Sequence, residues 1–194
     1  MDTNPSPLLL NIPEKFESER LIIRASEHGD GAALNEAVHE SVEQLRSWMP
    51  WAQSLPTVQE SEMYARRGRV EYLERTDMGL LLFGKTDGRL IGSSGLHRID
   101  WKARKFEIGY WVRTSYAGQG YITEAVDAIT HFAIRELQAM RVEIRCDARN
   151  LRSARVAERC GFTLEGVLRK ERIDAIDGTP TDTMVFAKVR GEEF

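Results

Sequence analysis

The segment best suited to chemistry runs from Tyr110 to Ala125: an apolar strand, a turn reading Ser115-Tyr116-Ala117-Gly118-Gln119-Gly120, then a helix start. A helix start leaves several backbone N–H groups without intrahelical partners and carries the positive end of the helix dipole. It therefore suits a phosphate or pyrophosphate and needs no lysine. Gly118 and Gly120 remove side chains where the backbone must come close to such a ligand. A nucleoside-triphosphate loop would end in Gly-Lys-Ser/Thr, whereas here Gly120 is followed by Tyr121 and Ile122. A dinucleotide fingerprint would carry a third glycine where Thr123 stands, and no acidic residue ends a second strand in the expected place. Two glycines before a helix are often a mere turn, so the surroundings must decide.

The elements that position this loop are legible from periodicity and punctuation. Residues 1–15, with Pro5, Pro7 and Pro13, read as an irregular arm, and 16–194 as one domain. Arg20 to Arg24 has the apolar centre of a short strand. Asp30 can cap a helix in which Leu34, Ala37, Val38 and Ser41 share a face, and a second short helical piece around 45–49 should end at Pro50. Thr57 with Glu60 three residues on is a capping box, opening a helix to about Glu74. Residues 78–85 and 89–99 read as strands joined through Asp87-Gly88, the strongest short hairpin signal in the chain, and 105–113 as a third. After the glycine turn, Val126, Ile129, Phe132, Ala133 and Leu137 fall on one helical face. Val142, Ile144 and Cys146 alternate along a strand over 141–147. Asn150 can cap a short helix closing at Gly161, and 162–168 and 183–189 form a terminal pair, with a second turn at Asp177-Gly178. This order predicts a mixed α/β sheet of about seven strands with helices on both faces.

Composition narrows the partners. The chain has 194 residues, 42% hydrophobic and 29% charged, with a net charge of −3. That is enough to bury one core, and it offers no basic field for nucleic acid. Cys146 and Cys160 are too few for a disulfide framework or a four-cysteine zinc site. His28, His39, His97 and His131 are scattered and read as ordinary helix, strand and loop residues, so no metal is expected. No apolar run approaches a membrane span, and residues 1–13 lack the pattern of a signal peptide, so a cytoplasmic location is expected.

Three blocks stand in a recognisable order and spacing: Glu107-Ile108-Gly109-Tyr110-Trp111-Val112; Gly118-Gln119-Gly120-Tyr121-Ile122-Thr123-Glu124-Ala125; and Asn150 through Phe162, continuing to Glu165-Gly166. With these the chain resembles the GNAT acetyltransferases, and within them the RimJ/RimL-type N-terminal acetyltransferases, from Glu19-Arg20-Leu21 to the last strand. Two positions depart from the family pattern: Ala117, where Arg or Gln is usual, and Ile122, where Gly or Ala is preferred. Both positions chiefly lend backbone N–H groups.

The resemblance implies the acyl-coenzyme A N-acyltransferase fold, splayed between the fourth and fifth strands, here 105–113 and 141–147. It implies acetyl-coenzyme A as co-substrate, with its pantetheine arm in the opening. Backbone groups of Trp111, Val112 and Arg113 would bond the arm, residues Gly118, Gln119, Gly120, Tyr121, Ile122 and Thr123 would hold the pyrophosphate, and Asn150 and Ser153 would reach the coenzyme. The chemistry is attack of a neutral amine on a thioester. A protein N-terminus, with an ordinary pKa of about 7.7–8.0, needs only a modest base, whereas a lysine at about 10.4 needs far more help. Glu107 is the candidate base, with Glu171 a weaker second. Ser153 stands where RimL-like enzymes have a serine proposed to hydrogen-bond the departing thiolate. Trp48 and Trp51 would line one wall of the acceptor groove, and Glu36, Glu40 and Glu43 form either a draw for a cationic acceptor or a solvated helix face. A Cys160 nucleophile is disfavoured by its place at a helix end. The acceptor is expected to be a protein N-terminus, with a polyamine or an amine-bearing antibiotic as alternatives, and a silent acyl-coenzyme A-binding module as the competing class. Homodimers are common in the family, but no interface is visible in the sequence.

Overall fold

A computed structural model describes residues 6–174 and 176–194. Eight strands form one sheet: β1 (Lys15–Glu17), β2 (Leu21–Ala25), β3 (Met78–Gly84), β4 (Leu90–Asp100), β5 (Lys105–Val112), β6 (Arg141–Asp147), β7 (Thr163–Ile173) and β8 (Pro180–Val189). Their spatial order is β1-β2-β3-β4-β5-β6-β8-β7. Among the described residues only the β5–β6 pairing is parallel. That one parallel step is bridged by a helix, as a crossover requires.

Four helices complete the fold: α1 (Gly31–Arg46), α2 (Val58–Glu74), α3 (Tyr121–Arg135) and α4 (Leu151–Arg159). One face of the sheet buries Leu80, Leu82, Phe106, Ile108, Val142 and Ile144 against Val126, Ile129 and Ala133 of α3 and Ala154 and Ala157 of α4. The other face packs Leu81 and Leu90 on Leu34 and Ala37 of α1 and Ala65 of α2. A β-bulge between Leu82 and Phe83 shifts the β3–β4 register, so the alternation expected from Leu90 and Ile91 reverses before Gly92.

Most expected elements form, with three corrections. The sheet has an eighth strand, β1, which is too short at three residues to show an alternating pattern. It opens at the last residue of the expected arm, Lys15, and the segment before it is anchored: Ile12 is buried, and the Tyr72 hydroxyl donates to Pro13 O at 2.6 Å. The arm's residues 1–5 lie outside the described chain. The helical piece expected around 45–49 is instead the end of α1 and a 3-10 turn at Pro50–Gln53. Asp30 sits at the N-cap of α1 but does not cap it; its carboxylate grips Arg24 at 2.7 and 2.8 Å. Glu62 of α2 takes the Gly31 N–H instead, at 3.0 Å. The capping box at Thr57 and Glu60 is present on both sides.

Candidate functional site

β5 and β6 pair over only three positions, ending at Glu107↔Glu143. Beyond that point β5 continues to Val112 bonded only to β4, and β6 to Asp147 bonded only to β8. The sheet therefore forks at Ile108. Antiparallel pairs alternate which residues turn their backbone toward the neighbour. Arg113 N donates to Ile91 O at 2.7 Å, and Ser94 Oγ donates to Gly109 O at 2.8 Å, so Gly109, Trp111 and Arg113 face β4. Tyr110 and Val112 turn their N–H and C=O groups toward the fork. Of the three backbone positions expected to hold the pantetheine arm, Trp111 and Arg113 are turned away from the fork: Trp111 faces β4, and Arg113 gives its N–H to Ile91 O and takes Tyr116 N on its C=O at 3.0 Å. Val112 keeps that orientation and Tyr110 joins it.

Arg113 has a different task. Its guanidinium, 6% exposed, bonds Glu36 and Glu40 of α1 at 2.5 Å each. Glu43 pairs with Arg46 at 3.2 Å. All three helix glutamates are therefore engaged in ion pairs. Burial pushes the Glu40 carboxyl up, but the Ser115 and Arg113 hydrogen bonds outweigh it and hold it below its ordinary value.

The glycine loop follows β5 through a 3-10 turn at Thr114–Tyr116. Gly118 (φ 76°) and Gly120 (φ 83°) both adopt left-handed backbone that other residues enter at a cost. Gly120 is the N-cap of α3 and has no side chain to satisfy the first turn. The N–H groups of Tyr121, Ile122 and Thr123 therefore point outward at the positive end of the helix dipole. Ile122 turns its side chain into the core, so the departure there leaves the backbone clear.

Arg20 locks this loop. Its Nε donates to Glu124 Oε2 at 2.6 Å, one terminal nitrogen donates to Gln119 O at 3.0 Å, and the guanidinium lies 4.2 Å from the Tyr121 ring centre. Ser18 Oγ and Arg20 N also donate to Glu124 Oε1, at 2.6 and 2.7 Å. Burial raises the Glu124 carboxyl, and these donors more than reverse it. Sequence reading treats Arg20 only as the start of a strand, because nothing local links it to a residue 104 positions away.

On the α3–α4 face of the fork, the Tyr110 hydroxyl lies 2.9 Å from Ser153 Oγ and 3.1 Å from Ser153 O. Burial pushes the Tyr110 phenol up, so it stays protonated. Asn150 Oδ1 accepts from Ser153 N at 3.1 Å, the expected cap of α4. Cys146 and Cys160 are buried and free, and burial raises both thiols, Cys160 to about 11. Neither is a thiolate nucleophile.

On the opposite face, Glu107 sits at the last paired position, 14% exposed, with Arg98 Nε 3.6 Å away. Glu171 is occupied: Arg145 and Thr183 donate to it at 2.7 and 2.8 Å. Burial raises its carboxyl, yet the Thr183 bond and nearby arginines pull it below its ordinary range. Trp51 stands 6.2 Å from Trp111, ring centre to ring centre, on this same face. Trp48 and Trp51 are both exposed. Among the described residues no group of three or more His, Cys, Asp or Glu is placed to hold a metal ion, and no helix is long and apolar enough to cross a membrane. A groove of about 490 Å³ between β1 and α3 lies apart from the fork. Glu17, Glu19, Glu124, Asp127 and Glu136 in its lining make it unsuited to a pyrophosphate.

Comparison with known proteins agrees with this geometry. A family model described as an acetyltransferase (GNAT) domain matches residues 20–163. The YdaF protein of Bacillus subtilis (strain 168), named provisionally as a ribosomal N-acetyltransferase, is 34% identical over 155 residues, covering 78% of this chain and 82% of its own. The ribosomal-protein-serine acetyltransferase of Escherichia coli (strain K12) is 32% identical over 149 residues, covering 74% and 80%. In fold, the chain matches the solved RimL ribosomal L7/L12 alpha-N-protein acetyltransferase in complex with coenzyme A, with a TM-score of 0.82 at 24% identity over 92% of this chain and 97% of that one. The matched span takes in the fork, the glycine loop and the Ser153 helix, and the chain belongs to the GNAT acetyltransferase family, whose members act as acetyl-coenzyme A-dependent N-acetyltransferases.

Proposed function

We propose that the chain transfers an acetyl group from acetyl-coenzyme A to the α-amine of a protein N-terminus, by direct attack in a ternary complex. The observation that carries this reading is the fork itself. Its two unpaired strand positions, the glycine loop at its end and the Ser153 hydroxyl beside it would together line a track for an arm, a thioester and a pyrophosphate. The N–H groups of Tyr121, Ile122 and Thr123 would hold the pyrophosphate, and Gly118, Gln119 and Gly120 shape their approach. Tyr110 and Val112 would bond the pantetheine arm. Either N–H, placed at the thioester, would stabilise the oxyanion that forms there.

The two sheet faces divide the proton work. Asn150 fixes the first turn of α4, and Ser153 would hydrogen-bond the departing sulfur while the Tyr110 hydroxyl, within reach of both Ser153 oxygens, holds it in place. On the acceptor face Glu107 would draw the proton from the attacking amine through a water. Trp48 and Trp51 would form the groove wall, with Trp51 braced on Trp111. A protein N-terminus suits this site because its ordinary pKa of about 7.7–8.0 leaves a useful neutral fraction near pH 7.5. Two relatives carry names of ribosomal-protein acetyltransferases, which favours a protein acceptor over a small amine.

The test is purified protein with acetyl-coenzyme A and a panel of N-terminal peptides, polyamines and aminoglycosides, following release of free thiol. Release with peptides is the expected result. Release with polyamines or aminoglycosides alone overturns the acceptor assignment, and failure to bind the coenzyme in calorimetry overturns the site.

A further inference from the structure

Three glycines lie in register across the acceptor face. Gly79 of β3 pairs with Gly95 of β4, and Gly95 pairs with Gly109 of β5. Two side chains occupy the trough these glycines leave. Asp77, just before β3, places a carboxylate oxygen 3.9 Å from where a Cβ on Gly79 would stand. The His97 ring covers the other two glycines. A Cβ on Gly95 would meet its Cε1 at 3.1 Å, and a Cβ on Gly109 would meet its Cδ2 at 3.0 Å and its Nε2 at 3.3 Å. At Gly95 the β3 backbone already bars a side chain, with Met78 O at 2.7 Å and Gly79 Cα at 2.9 Å from that Cβ, and the His97 ring lies close over both glycines.

His97 Nδ1 lies 2.8 and 3.0 Å from the two Asp77 oxygens. A carboxylate only accepts, so Nδ1 carries a proton, and the lone pair of the unprotonated ring then lies at Nε2. Nε2 makes no hydrogen bond among the described residues, and it overhangs Gly109, two positions past the last β5–β6 pair. His97 is also the register partner of Glu107 on the same face. Residues directly opposite on one face have Cβ atoms roughly 5 Å apart, close enough to share one water. The next residue, Tyr110, carries the hydroxyl that meets Ser153 on the far face. A proton acceptor and a proton donor thus flank the same two residues of the fork.

We propose that His97, oriented by Asp77, is a catalytic residue: its Nε2 takes the amine proton from the water it shares with Glu107 and releases it to solvent. The proposal rests on the acetyltransferase reading of the fork. The amine nitrogen forms a bond to the carbonyl carbon and loses one proton, which passes through the water to Nε2; the carbon–sulfur bond breaks, its electron pair leaves on sulfur as a thiolate hydrogen-bonded by Ser153, and that thiolate takes a proton from solvent. Carboxylates as a class hold a proton weakly at neutral pH, whereas imidazole both accepts and releases one there. Asp77 stabilises the imidazolium while it lasts.

Parent protein, H97Q, H97A, D77N and S153A are compared in turnover and in coenzyme binding by calorimetry. H97Q should lose roughly 10²-fold in kcat with little change in KM for acetyl-coenzyme A. D77N should lose less, and added imidazole should restore part of H97A turnover and none of S153A. Parental turnover in H97Q overturns the proposal, as does an H97A variant that binds coenzyme normally yet ignores imidazole. Nitrogen-15 NMR of the His97 ring needs no acceptor: a ring protonated at Nδ1 is expected, and one protonated at Nε2 overturns the proposal. Absence of turnover by the parent with every amine counts against the acceptor reading instead, and leaves the tautomer result to stand or fall alone.

Discussion

The Tyr110 hydroxyl, from the strand on one side of the fork, reaches Ser153 Oγ on the helix at the other side, 2.9 Å away. No pairing joins β5 to β6 at this depth, so this hydrogen bond spans the opening where the backbone does not. A phenol held protonated by burial can donate to the serine oxygen, leaving the serine proton to point at a third atom. That third atom, in the acetyl-transfer reading, is the departing sulfur.

Ser153→Ala should lower kcat by roughly 10²-fold, the usual loss for one donor at a developing negative charge. Coenzyme affinity should stay near the parental value. Tyr110→Phe should lower kcat less, because Asn150 still orients the first turn of α4. Single-turnover thiol release with calorimetry on each variant checks both, and a loss confined to affinity would place Ser153 in binding alone.

Arg20→Ala should act on the loop without touching the chemistry. It removes the clamp on Glu124 and Gln119. The Arg20 side chain is 41% exposed, so solvent screens these bonds to about 1 kcal/mol, and KM for acetyl-coenzyme A should rise by roughly severalfold, with kcat little changed. The same variant should alter acid sensitivity. Glu124 titrates below its unfolded value, so its contribution is present above about pH 4.3 and is lost as pH falls through its folded pKa. Arg20→Ala should flatten that loss, measured as Tm against pH between 3 and 6.

Arg113→Met should destabilise the protein rather than weaken coenzyme binding directly. The buried guanidinium ties the end of β5 to α1 through Glu36 and Glu40. Those carboxylates are partly solvated, so the cost should be about 1–2 kcal/mol, below that of a fully buried pair. Thermal unfolding should show a Tm lower by a few degrees.

Glycine substitutions should separate strain from collision. A Cβ at Gly92 would lie 2.3 Å from Trp111 O, so Gly92→Ala must push two strands apart and should prevent stable folding. A Cβ at Gly118 would meet nothing within 4 Å, and only the φ of 76° opposes it. Gly118→Ala should fold, at a cost of about 1–2 kcal/mol. Expression level and Tm of the pair provide the comparison.

Local signals carried the reading of the fold a long way. The Thr57–Glu60 box, the Asp87-Gly88 turn and the Asn150 cap each encode a boundary within four residues, and each forms as expected. Signals that need distant partners were not readable. β1 is three residues long and exists because Arg24 and Ile23 lie beside it. The Asp30 side chain serves Arg24, while a glutamate from another helix meets the α1 terminus. At the proposed site, the glycine loop and Ser153 were marked out by their own neighbourhoods. Arg20 and the His97–Asp77 pair were not, because their partners are apart in sequence by 104 and 20 positions. The orientation of Trp111, Val112 and Arg113 turns on a single hydrogen bond to Ile91, which no periodicity reveals.

The fork leaves the sheet as two leaves, β1–β5 and β6–β8–β7, hinged on three residue pairs. Amides on the open stretch of β5, those of Tyr110 and Val112, have no strand to protect them, so they should exchange with deuterium far faster than those of Ile108 or Trp111. An arm lying along the opening would supply the missing bonds, and protection there would then report occupancy amide by amide. Binding free energy and sheet completion are one quantity at those two positions, so the protein's resistance to unfolding rises with the concentration of its co-substrate.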